Sequence, residues 1–272
     1  MIILKENSRT IINQAQVAEI FNDYFTNITD RLTIDSYTPF QHQSHASCLP
    51  MNSIASKSFT FHLTNHHEVG QILNDIKANK AQGYDLIPPC AVKAVAPLVS
   101  EPLSDLINTI IAMAEVPKGW KYGQITPLHK KDSVLDKANF RPVTVLPAFD
   151  KVFERIVHTQ MSGYFDAIFH DFTFAYWKLH GCSATLLTLT KEWKEKLDQS
   201  HVIGAATLDL SKAFDCIPHD LLLEKLRFYG LDERSWSLLQ SYTSYIATNE
   251  SNWETFFHRG MSFVVVYPRG QY

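Results

Sequence analysis

The chain has 272 residues, 45% of them hydrophobic and 19% charged, which is the balance of a globular protein able to bury a core in one large domain or two small ones. Its formal net charge of -3 provides no global basic field of the kind that announces a nucleic-acid partner. The four cysteines, Cys48, Cys90, Cys182 and Cys216, form no Cys-x-x-Cys pair, which argues against a disulfide framework or zinc knuckle and for reduced thiols in an intracellular protein, nuclear or cytoplasmic.

The opening Met1 to Glu6 is apolar for too few residues to be a signal peptide or a membrane span. No membrane association is expected, and no obligate protein partner is evident. Val17, Ile20, Phe21, Tyr24, Phe25 and Ile28 follow helical spacing and predict an amphipathic helix from about Ile11 to Ile28. Ser36 to Ser58 reads as a linker rich in Ser, Gln, His, Thr and Pro. His42, His45 and Cys48 within it are spaced like metal ligands but lack a fourth, so a solvated loop is the better reading. Asn65, with Glu68 three residues on, predicts a capped helix running to about Lys80.

Gly83 to Pro89 reads as a turn, with Gly83 and Asp85 serving turn chemistry. Leu98, Leu103, Leu106, Ile107, Ile110 and Ile111 predict a long buried helix that closes before Pro117. Ile125 to Leu128 and Asn139 to Leu146 predict short strands, and Lys151 to Phe165 a helix. Another helix, Ser183 to Leu197, offers Leu186, Leu187, Leu189 and Trp193 for packing. The apolar run Val202 to Leu208 predicts a buried strand. A helix opened by Pro218 and ended by Gly230 follows, and Tyr245 to Tyr272 loses helical periodicity, with a candidate strand at Phe263 to Tyr267. The irregular alternation of helices and short strands predicts an α+β fold.

Charge is uneven along this order. Between Lys118 and Arg155 stand eight Lys or Arg against four Asp or Glu, which marks a basic lobe. A carboxylate at the end of a buried strand, as Asp209 is placed, is how metal-dependent phosphoryl-transfer enzymes present an oxygen ligand to Mg2+. The backbone carbonyl of Leu210 would point into the same cleft. The plain alternative is that Asp209 caps the following turn. Asp215, ahead of Pro218, suits a turn or helix cap.

Five segments occur in order: Lys80-Ala-Gln-Gly83-Tyr-Asp85-Leu-Ile-Pro88, Ile125-Thr-Pro-Leu-His-Lys130-Lys131-Asp132, Asn139-Phe-Arg141-Pro142-Val-Thr-Val-Leu146, Lys151-Val-Phe-Glu154-Arg155 and Leu208-Asp209-Leu-Ser-Lys-Ala-Phe214-Asp215. Together they resemble the fingers and early palm of reverse transcriptases from non-LTR (LINE-type) retrotransposons, over roughly Val17 to Leu239. The resemblance implies a partial right-hand polymerase, fingers plus incomplete palm, with an N-terminal helix and linker over 1–58, the reverse transcriptase domain over 59–244 and a divergent tail over 245–272. It implies RNA template, DNA primer and dNTP as partners and two-Mg2+ nucleotidyl transfer as the chemistry. Asp209 becomes the first catalytic aspartate and metal ligand, Phe214 the residue beneath the nucleotide sugar, and Lys130 and Arg141 the triphosphate contacts, with Lys131 a substitute for Lys130. A solvated basic hairpin is the alternative for the two cations, and a core aromatic for Phe214.

Two departures stand out. Trp177 occupies the place of an arginine that contacts template in the family. Where the family continues into Gly-Val-Pro-Gln-Gly and an aromatic-Ala-Asp-Asp hairpin, this chain reads Arg259 to Val266, and it holds no Asp-Asp pair. The expectation is a domain cut short before that hairpin, without thumb or preceding endonuclease, and inactive as an isolated fragment. The alternatives are a non-catalytic nucleic-acid-binding remnant, or an unrelated Mg2+-dependent phosphotransferase pairing Asp209 with Asp220 or Asp85.

Overall fold

Helices interleaved with two small antiparallel sheets give the α+β class that the sequence pattern predicts. The computed structural model describes residues 1–26, 58–168, 181–209 and 217–244. The expectations for His42, His45 and Cys48, for Trp177, for Leu210, Phe214 and Asp215, and for the tail from Tyr245 lie outside the described residues. The chain divides into two compact units, Met1–His158 with Asp215–Tyr272, and Thr159–Phe214.

The first unit opens with a hairpin, β1 (Leu4–Glu6) and β2 (Arg9–Ile11), in register Leu4↔Ile11. Its two turn residues, Asn7 and Ser8, both have positive φ, 48° and 65°, as a two-residue turn between twisted strands requires. Periodicity predicts a helix start near Ile11, but Ile11 belongs to β2 and Asn13 sets the boundary. The Asn13 Oδ1 accepts from the backbone N–H of Ala15 at 3.0 Å and of Gln16 at 3.2 Å, capping α1 (Gln14–Thr26). The α1 stripe Val17, Phe21 and Phe25 is buried with Leu4, Ile125 and Phe140 in one core cluster.

Asn65 caps α2 (His66–Asp75), its Oδ1 accepting from the Glu68 N–H at 2.9 Å. The Glu68 carboxylate does not reach back to the cap as a full capping box would; it takes the Thr64 hydroxyl at 2.6 Å. The helix stops short of Lys80 because Ile76 is extended, at φ −60° and ψ 128°. The long helix expected before Pro117 is α4 (Ala96–Met113), preceded by a separate short helix α3 (Pro89–Ala94). Leu103, Ile107, Ile110 and Ile111 of α4 are buried as predicted, whereas Leu98 and Leu106 face solvent. Close approach of α2 and α4 is set at Gly70, where a Cβ would meet Ser100 Oγ at 3.1 Å.

Next come β3 (Gln124–His129), β4 (Phe140–Val145) and α5 (Ala148–Phe165). After α6 (Cys182–Asp198) in the second unit, α7 (His219–Phe228) returns to the first and ends in Gly230 at φ 98°. There the Leu231 N–H reaches the Leu226 carbonyl at 3.1 Å, the closure a glycine C-cap makes possible. Asp232 then caps α8 (Glu233–Thr243), accepting from the Ser235 N–H at 2.8 Å. This segment docks on the body of the unit: Phe59 pairs with Leu231 in a parallel bridge, Phe61 N–H donates to Ser235 Oγ at 2.9 Å, and Val116 N–H to Ser241 Oγ at 3.0 Å.

The buried strand expected over Val202 to Leu208 is not formed. Residues 201–209 have no regular structure, and Val202 and Leu208 are 97% and 94% exposed. A strand is completed by its neighbours, and among the described residues the two sheets are the pairs β1–β2 and β3–β4, neither of which this run joins. In α6, likewise, Leu186, Leu187, Leu189 and Trp193 are exposed. Cys90 and Cys182 are free thiols. Among the described residues, no helix is long and apolar enough to cross a membrane.

Candidate nucleic-acid interface

The basic residues singled out in the sequence sit on the β3–β4 hairpin. Its register runs from Gln124↔Val145 to His129↔Phe140, with Leu128 opposite Arg141, and the ladder extends by one bond from the Lys130 N–H to the Asn139 carbonyl at 2.8 Å. Side chains alternate across a strand, so Ile125 and Phe140 share one face, and Leu128, Lys130 and Arg141 the other. The first face is buried: Phe140 meets Phe21 of α1 edge-on with ring centroids 5.0 Å apart. The second is exposed at Leu128, Lys130 and Arg141.

What those cations touch separates them from their neighbours. Lys137 is paired with Glu6 and lies over the Tyr24 ring at 5.8 Å, while Lys131 stands 4.0 Å from Asp132. Among the described residues, Lys130 and Arg141 make neither an ion pair nor a side-chain hydrogen bond. A guanidinium fork and an ammonium free on one face of a hairpin are suited to phosphate oxygens.

Asp209 lies in the second unit, exposed, the last described residue of the irregular run that begins at His201. Lys130 and Arg141 belong to the first unit, so the structure does not gather the three into one compact body. Among the described residues no group of three or more His, Cys, Asp and Glu side chains converges as metal ligands would. A two-metal site draws oxygen ligands from several directions, and of the two ligands expected for it Asp209 is described whereas Leu210 is not.

A second constellation escaped sequence reading. Asp150, in the first turn of α5, is buried, and burial, then the charges of Asp85 and Glu154, push its carboxyl up to about 8, against a smaller pull from Lys151. Burial also raises Glu154, which is the acceptor of the Tyr242 hydroxyl from α8. Burial and the neighbouring acids Asp150 and Asp85 raise the Tyr84 phenol to about 12, and its hydroxyl donates to the Gly119 carbonyl at 2.6 Å. Asp85 itself does turn chemistry, its Oδ1 accepting from the Ile87 N–H at 3.2 Å. The available signal was an acid on the apolar stripe of a helix, three residues before Phe153, with Glu154 at i+4.

Comparison with known proteins bears on the same segments. The family described as reverse transcriptase (RNA-dependent DNA polymerase) matches residues 128–264. A probable RNA-directed DNA polymerase from transposon X-element of Drosophila melanogaster is 27% identical over 178 residues, covering 64% of this chain and 20% of that protein. The RNA-directed DNA polymerase from mobile element jockey of the same species is 23% identical over 198 residues, covering 70% and 22%. A retrovirus-related Pol polyprotein from the type-1 retrotransposable element R2 of Popillia japonica is 25% identical over 129 residues, covering 47% and 18%. The chain spans about one fifth of the length of these curated relatives.

Proposed function

As the chain belongs to the reverse transcriptase (RNA-dependent DNA polymerase) family, whose match covers half of it, and is of the non-LTR retrotransposon kind, we propose that it carries the phosphate-binding fingers of an RNA-directed DNA polymerase. The observation that carries this reading is the exposed hairpin face on which Lys130 and Arg141 are free of ion pairs while Lys137 and Lys131 have acidic neighbours. Lys130 and Arg141 take the phosphates of an incoming dNTP, or of an RNA template and DNA primer, on a hairpin packed against α1 through Phe140.

By the same resemblance Asp209 and the Leu210 carbonyl are proposed as the family's first Mg2+ position, and Phe214 as the residue beneath the nucleotide sugar. Asp209 belongs to no group of three possible ligands among the described residues, and the sequence holds no Asp-Asp pair. Misplaced reacting groups alone cost on the order of 100-fold in rate. We propose that residues 1–272 by themselves hold nucleic acid without extending a primer. With a DNA primer on an RNA template, Mg2+ and dNTPs, the expected result is no extended product. Extension that Asp209→Ala abolishes would overturn this part of the reading.

A further inference from the structure

Asp150 is 2% exposed, and neither of its carboxylate oxygens has a hydrogen-bond partner. It lies where three segments of the first unit meet. Tyr84 and Asp85 face it from the turn after Gly83, Lys151 and Glu154 from α5, and Tyr242 from α8, with Lys80 beyond Lys151. Lys151 is adjacent in sequence yet forms no ion pair with it among the described residues. The junction is tight: a Cβ on Gly83 would lie 2.5 Å from the Pro147 nitrogen, three residues before Asp150.

A carboxylate buried with no donor and no counter-ion is costly, whereas the neutral acid loses far less on leaving water. Its place in the first turn of α5 favours the ionised form. Two neighbouring acids and the absence of any donor oppose that. We propose that Asp150 is held as a neutral carboxylic acid in the folded chain and acts as a pH-sensitive latch between the Gly83–Pro88 turn and the start of α5, closed when protonated and loosened when the proton leaves.

The direction of the effect follows from linkage. An aspartate in opened or unfolded chain sits near 3.8, and the folded one is pushed to about 8 by burial, then by Asp85 and Glu154. The latch thus binds more protons than the opened state between those limits. Its stability is fully present below about pH 4, declines as pH rises, and levels off above about pH 8. Lys151, whose ammonium is shifted down by burial, provides only a partial counterweight.

Hydrogen exchange over 83–87 and 147–154, corrected for the intrinsic rate at each pH, tests this in the full chain. Wild-type protection is expected to fall by at least about tenfold between about pH 5 and about pH 8. Asp150→Asn should lose most of that dependence, with Glu154 leaving the remainder. Asp85→Asn keeps an Oδ1 acceptor for the Ile87 N–H and removes a repelling charge, so its decline should level off at lower pH. Wild-type protection that ignores pH, or Asp150→Asn with the full wild-type dependence, would overturn the latch. Should Asp150→Asn not fold, Asp85→Asn decides, and a levelling-off point unmoved from wild type overturns it.

Discussion

Gly83 shows how little slack a single position has. Backbone atoms of Leu146 and Pro147 occupy the space a side chain would need, at 2.5 to 2.9 Å from an ideal Cβ, and backbone cannot rotate away as a flexible side chain would. Gly83→Ala is expected to destabilise the first unit by about 1–3 kcal/mol, read as a lower urea midpoint at unchanged slope. Gly163, where nothing lies within 4 Å of the added Cβ, is the control; alanine there should be neutral or slightly stabilising, because alanine favours helix. At the hairpin, Arg141 and Lys130 are exposed, so replacing either should leave stability unchanged.

At the scale of elements, the hairpin and α1 form one packing unit through Phe140, Phe21 and Ile125. Phe140→Ala is expected to cost about 3–5 kcal/mol and to release the hairpin from α1, seen as weakened exchange protection in both. Asp232→Ala removes the α8 cap and the 2.8 Å bond from the Thr60 hydroxyl, with an expected cost of about 1–2 kcal/mol in thermal or urea unfolding. The helices that sequence made legible are those with an apolar stripe and local punctuation: Asn65 before α2, Pro218 and Gly230 around α7. Local chemistry determines those boundaries. The run Val202 to Leu208 failed because burial of a strand depends on partners that no local pattern encodes, and α8 went unnoticed although Asp232 marks its start. Lys130 and Arg141 were legible as cations, but their freedom from ion pairs was not, since Glu6, the partner of Lys137, lies far along the chain. The Asp150 group was hidden for a related reason. Its members come from the 84–85 turn, α5 and α8, and only the fold brings them together.

Over the whole molecule, the first unit is assembled from two stretches of chain with the second between them. Its closure rests on long-range contacts, Phe59 with Leu231, Phe61 with Ser235 and Val116 with Ser241. Hydrogen exchange should therefore divide the chain. Strong protection is expected at Ile107, Ile110 and Leu238, which are buried in the first unit, and near random-coil exchange at Val202 to Leu208. Ordinary strand-like protection in Val202 to Leu208 would contradict the exposed, irregular segment described for it. The family assignment spans both units, from residue 128 in β3 to residue 264.

Phosphate binding by the Lys130 and Arg141 face of the hairpin is the proposal on which the functional reading rests. It is tested most directly by titrating a labelled RNA–DNA primer–template with wild type and with the Lys130→Ala, Arg141→Ala double variant across about 50 to 200 mM salt. The variant is expected to bind more weakly, with a log-affinity against log-salt slope shallower by roughly two, about one for each phosphate that is no longer neutralised. Identical affinities and identical salt slopes for the two proteins would contradict it.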